Sequence, residues 1–228
     1  MIVQPLKVKH MNKAYMLLGI LLLGSLAFAI EGASVSTEDE RGKWLNASAG
    51  NATTEGGNVS GVDISGSYST EKWAAFFGSV STGIVLADSA GTQVYNWTYS
   101  AESGEVCLST DANFAWSSAN TTTATEVDSA FGFAGTDADS ANITLDQTCT
   151  VDLLQATVSG TPAVTLLSNY QTCVIEDATS PTKNDLAFCV DIASGTNYNS
   201  ESVDYEIMVP TNDTAGATET YYFFVELI

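Results

Sequence analysis

From Cys149 to the C-terminus the chain is a succession of short β-forming runs: "CTVDLLQATV", "PAVTLLS", "QTCVIED", "DLAFCVDIA", "VDYEIMVP" and "TYYFFVEL". Gly, Pro, Asn and Asp separate them, and strands at this spacing suggest two packed sheets. The fold class expected is mainly β, an antiparallel β-sandwich of jelly-roll or Ig-like type with one or two short helices. The closing "YYFFVELI" is apolar on both faces and reads as a central strand, because such a strand left exposed pairs with other chains.

The preceding part is more varied. "GEVCLST" reads as a strand, and "TTTATEVDSAFGF" as a short helix or as a loop docked by Phe131 and Phe133. "TGIVLAD" and "TQVYNWTYS" flank "SAG", as in a β-hairpin. Strand side chains alternate faces, so Tyr95, Trp97 and Tyr99 are expected to enter a core while Asn96 points to solvent. "STEKWAAFFGSV" places Trp73, Phe76, Phe77 and Val80 on one face of a two-turn helix, with Thr70 as cap and Gly78 as stop. "GVDISGSY" reads as a short strand between Gly61 and Gly66. Residues 30–60 are rich in Gly, Ala, Ser and Asn and read as an N-terminal strand followed by a loop, or as an extended arm. The organisation expected is 1–29 signal peptide, 30–60 arm and 61–228 β-sandwich domain.

The export reading rests on Lys7, Lys9, His10 and Lys13, the apolar "AYMLLGILLLGSLAF" and the A-x-A triplet Ala27-Phe28-Ala29, which places cleavage before Ile30. The competing reading is an uncleaved anchor, and its apolar run of 17 residues, Ala14 to Ile30, is at the short limit for a bilayer. Cleavage leaves Arg41, Lys43, Lys72 and Lys183 against 27 acids, a formal charge of −23. Nucleic acid and anionic membrane surfaces repel such a chain. Its 45% hydrophobic content argues against a disordered acidic tail. No membrane span is expected in the mature chain, which is placed outside the cell or at its surface.

Four cysteines in an exported chain imply two disulfides. Cys173 and Cys189 stand symmetrically about Pro181 and would face each other across a hairpin, which leaves Cys107 with Cys149. Seven N-x-[ST] acceptors, at Asn46, Asn51, Asn58, Asn96, Asn120, Asn142 and Asn212, fit a surface chain carrying covalent N-glycans.

Catalytic apparatus is scarce. The only histidine, His10, leaves with the signal, which removes Ser-His-Asp and Cys-His catalysis and imidazole ligation of metals. A carboxylate pair of the glycosidase kind cannot be picked out among 27 acids. Asp137 and Asp139, in "GTDADSANITLD", have a spacing that can wrap a hard cation such as calcium, but they also suit a polar turn, and the EF-hand pattern fails. Trp44, Trp73, Trp97 and Trp116 suit core packing or sugar stacking. The chain is not expected to be an enzyme or to need a cofactor.

The stretch from Thr54 to Thr98 contains "GGNV", "KWAAFFG" and "YNWT". It resembles the opening of a group of secreted archaeal cell-surface proteins that share a signal peptide and these elements. The resemblance implies an archaeal surface protein and brings no catalytic residues. The function expected is an extracellular structural subunit, a filament or surface-lattice protein, whose arm pairs with an open sheet edge of the next subunit. Its partners would be itself or other surface proteins. The alternatives are an adhesin or carbohydrate- or calcium-binding module, and a carboxylate glycosidase.

Overall fold

In a computed structural model the structure describes residues 30–36, 42–43, 51–67, 69–99, 103–212, 216 and 218–227. The expectations for residues 1–29, Trp44 and Asn46 lie outside them. The strands are β1 (Glu31–Gly32), β2 (Trp73–Gly78), β3 (Thr82–Ala87), β4 (Gln93–Tyr99), β5 (Gly104–Ser109), β6 (Asn120–Thr121), β7 (Gln147–Asp152) and β8 (Thr157–Thr165). They continue as β9 (Gln171–Glu176), β10 (Leu186–Asp191), β11 (Gly195–Thr196), β12 (Ser202–Val203), β13 (Tyr205–Pro210) and β14 (Tyr222–Leu227). Among the described residues, which are mainly β, there are also two α-helices, α1 (Ala124–Phe131) and α2 (Ala141–Thr144), and every strand pair is antiparallel.

The main sheet runs β1-β14-β5-β10-β9-β8-β7, with β6 also on β9. Its two faces feed two cores. Val106, Leu108, Val174, Phe188 and Val190 pack under the β2–β13 ribbon and α1, against Ile207, Val209, Val127 and Phe131. The opposite face carries Cys107, Cys173, Ile175, Ala187, Cys189 and Phe224, packed with Ile30, Phe114, Trp116, Val151, Leu153 and Val158. Part of that second cover comes from the sheet itself. A register shift at Cys149/Thr150 and Gly160 in a left-handed conformation (φ 75°) bend the β7–β8 hairpin. The end of β7 and the turn after it then reach β5 and β14, where Glu105 accepts the Asp152 N–H and Glu226 the Leu154 N–H.

The helical expectation for "STEKWAAFFGSV" is overturned. Trp73–Gly78 is a strand whose whole length pairs with β13, from Trp73 opposite Pro210 to Gly78 opposite Tyr205. Six residues give too few internal bonds to nucleate a helix, whereas the ladder with β13 satisfies the backbone while both faces pack. "TTTATEVDSAFGF" resolves to α1, opened by the reciprocal Thr123–Glu126 capping box and closed by left-handed Gly132. "GVDISGSY" holds no strand among its described residues, and Ile64 is 91% exposed. Two β-formers between glycines found no partner strand.

The disulfide pairing also differs from expectation. Cys107 joins Cys189, with Cα atoms 4.1 Å apart, and Cys149 joins Cys173. The expected β9–β10 hairpin is there, and it does set Cys173 opposite Cys189. However, Cys189 also lies opposite Cys107. Residue pairs in an antiparallel ladder alternate between wide and narrow, so a residue narrow toward one neighbour is wide toward the other. The 4.1 Å separation makes Cys107–Cys189 the narrow pair, and sulfur bridges it.

Candidate assembly surface

β14 was expected at the centre of a sheet. It is flanked on both sides, by β5 and β1, but lies one strand from the edge, and its outer neighbour, β1, is only two residues long. Glu31 pairs with Val225, Gly32 with Phe224, and the Ala33 N–H donates to the Phe223 carbonyl at 2.8 Å. Ile30 anchors this contact by entering the second core, where it is 8% exposed. Beyond Ala33 no strand occurs among the described residues until Trp73, and residues 51–67 are exposed throughout. A short plug on a long tether therefore covers part of an apolar strand edge.

Beside the plug lies a row of acids. Glu226 is opposite Glu105, and Glu105 is opposite Asp191, across β14, β5 and β10. Glu105 and Glu226 are 4% and 1% exposed. Glu105 Oε1 accepts from the Asp152 N–H at 3.2 Å, and both Glu226 oxygens lie 3.0 Å from the Leu154 N–H. Burial, then the charges of Glu226 and Asp191, push the Glu105 carboxyl up to about 8. Burial raises Glu226 as well. Gly104 permits the close approach at this end, because a Cβ there would lie 2.0 Å from the Glu226 carbonyl oxygen. Sequence reasoning missed this pair. The available signal was an acid two residues from a buried Cys107 or Phe224 on the same strand face.

The β3–β4 hairpin forms as expected, with Asp88 Oδ1 accepting from the Ala90 and Thr92 N–H groups in its turn. Its aromatics do not enter a core, which corrects the expectation. Tyr95 and Trp97 are 57% and 47% exposed and stack edge-on against each other, 4.6 Å between centroids. The Tyr99 side chain lies outside the described set. Val85, Leu86 and Val94 are exposed too, so both hairpin faces are apolar and open. Among the described residues the two strands pair only with each other. Asn96 is exposed on the face opposite Tyr95 and Trp97. Asn51, Asn58, Asn120, Asn142 and Asn212 are exposed as well.

Asp137 and Asp139 do converge, and the cation between them is Lys72. Its Nζ lies 2.9 Å from Asp137 Oδ2 and 2.7 Å from Asp139 Oδ1. Thr70 Oγ1 and the Trp73 indole N–H donate to Asp139, and the Lys72 hydrogen bond holds the Asp139 carboxyl below its usual range. The loop thus fastens the start of β2. Trp116 is buried against Phe114 and Phe224. A shallow depression beside α1 contains Asp128, whose two oxygens cap α2 through the Ala141 and Asn142 N–H groups. Comparison of the chain with protein-family models, with curated proteins and with solved structures returns no match.

Proposed function

We propose that this chain is an extracellular structural subunit that assembles by exchanging its N-terminal segment between copies. The observation that carries the reading is the seating of Ile30–Ala33 on the outer edge of β14. The contact is local, it is made by a terminal segment, and it is linked to Trp73 by a stretch without strands among the described residues. Residues 34–72 would span about 130 Å if extended, at roughly 3.3 Å per residue. The same contacts can therefore form within one chain or between two. Exchange from copy to copy is head-to-tail and leaves an empty β14 edge at one end and an undonated N-terminal segment at the other, which generates open filaments.

Other features are consistent with an extracellular polymer. Two disulfides suit an oxidising compartment. No helix among the described residues is long and apolar enough to cross a membrane. The exposed hairpin is a second surface that neighbouring copies could cover, since an isolated two-stranded ribbon is barely stable in water.

A chain lacking residues 30–33 should expose an empty β14 edge, fail to polymerise, and bind a synthetic peptide of residues 30–36 added in trans. If the truncated chain polymerises like the intact one and ignores the peptide, strand exchange is not the mechanism.

One observation favours the adhesin alternative: the open Tyr95–Trp97 pair is of a kind that stacks on sugars. Quenching or protection of Trp97 fluorescence by oligosaccharides would support it.

A further inference from the structure

Among the described residues the acid row beside β1 has no basic partner. Lys43 pairs with Glu71, Lys72 with Asp137 and Asp139, and Lys183 with Glu219, all away from the row. Asp152 adds its charge to Glu105 and Glu226, and Asp191 adds its charge to Glu105. Glu105 Oε2 is buried with no hydrogen-bond partner. Such an oxygen is costly to leave unpaired, and a second carboxylate directly opposite makes it more so.

The register of β1 brings Ile30 beside the nearest of these acids. Glu31 opposite Val225 and Gly32 opposite Phe224 put Ile30 opposite Glu226. The Ala33 N–H bonds across to β14, so by alternation Gly32 and Ile30 fall at narrow positions, whose amides take no part in that ladder. Ile30 is also the residue at which the A-x-A triplet places cleavage. We infer that processing between Ala29 and Ile30 makes the missing counter-charge: the new α-ammonium of Ile30 forms an ion pair with the buried Glu226 carboxylate, the member of the Glu226–Glu105 pair that lies opposite it.

Cleavage is hydrolysis by a signal peptidase. The Ala29–Ile30 C–N bond breaks, and water gives its hydroxyl to the Ala29 carbonyl carbon and a proton to the Ile30 nitrogen. That amine takes a second proton from solvent at neutral pH. Before cleavage, the same position holds an uncharged amide. Firm seating of β1, in its own chain or in a neighbour, thus becomes conditional on export and processing. The inference rests on reading residues 1–29 as a cleaved signal, and filament formation is not required for it.

The test is trace acetylation of the secreted, processed chain with acetic anhydride at a series of pH values, the N-terminal peptide being quantified by mass spectrometry. The expected result is a first residue of Ile30 whose amine reacts at least tenfold more slowly than a free one. Its apparent pKa should lie above the usual α-amino range of about 8. Glu226→Gln, which keeps an acceptor for the Leu154 N–H, should return the amine to that range. As a second measurement, one glycine added ahead of Ile30 should lower the folding equilibrium constant about tenfold, and Glu226→Gln should abolish that difference. A first residue other than Ile30, an amine titrating normally in both chains, or no effect of the added glycine would overturn the inference. Microscopy of the same samples judges the filament reading separately.

Discussion

At the scale of single residues, the account turns on Ile30 and Glu105. Ile30→Ala should destabilise the fold by about 2–4 kcal/mol, the usual range for emptying a core position. Ile64→Ala, at an exposed site, should change it by less than about 0.5 kcal/mol. Urea unfolding of the two variants makes the comparison. Glu105 predicts a pH dependence whose sign follows from its raised carboxyl. In the fold it keeps its proton up to about pH 8, whereas an unfolded glutamate loses it near 4.3. The folded chain then holds more protons between these values, so stability falls as pH rises from 5 to 8. Burial of Glu226 and Glu176 acts in the same sense. Glu105→Gln should flatten the profile, and a chain beginning at Ile30 should show a shallower fall than one extended by a residue. None of this was legible in the sequence, where Glu105 and Glu226 are two acids among 27 and only the strand register brings them together.

At the scale of elements, the longer strands from "GEVCLST" onward were readable because alternation, turn residues and burial agree there, whereas the two-residue β6, β11 and β12 were not. Trp73–Gly78 was misread because Trp73, Phe76, Phe77 and Val80 fit a helical stripe, while the deciding partner, Tyr205–Pro210, is more than a hundred residues away. The cysteines repeat the lesson. The hairpin between Cys173 and Cys189 is local and was foreseen, but the narrow pair is made across β5 and β10, a separation of 82 residues. Peptide mapping without reduction should return Cys107–Cys189 and Cys149–Cys173. On the chain-entropy estimate, removing them should cost about 4.5 and about 3.5 kcal/mol respectively. The hairpin β3–β4 divides the tryptophans in a checkable way. Trp116→Ala should cost about 3–5 kcal/mol, as for a buried aromatic, and Trp97→Ala less than about 1 kcal/mol in the monomer.

At the scale of the whole molecule, acidity and a β-rich body were legible from composition and pattern. The seat of the N-terminal segment was not, since Glu31–Gly32 is too short to signal a strand. That seat unites the observations. An apolar β14 that would be hazardous if bare is covered by Ile30–Ala33, and this segment begins at the residue where processing is expected. The most direct test is electron microscopy of the processed chain at a resolution that traces the main chain. The account predicts filaments in which Ile30–Ala33 of one copy lies antiparallel on β14 of the next. Dispersed monomers, or an ordered assembly in which every copy keeps Ile30–Ala33 on its own β14, would contradict it.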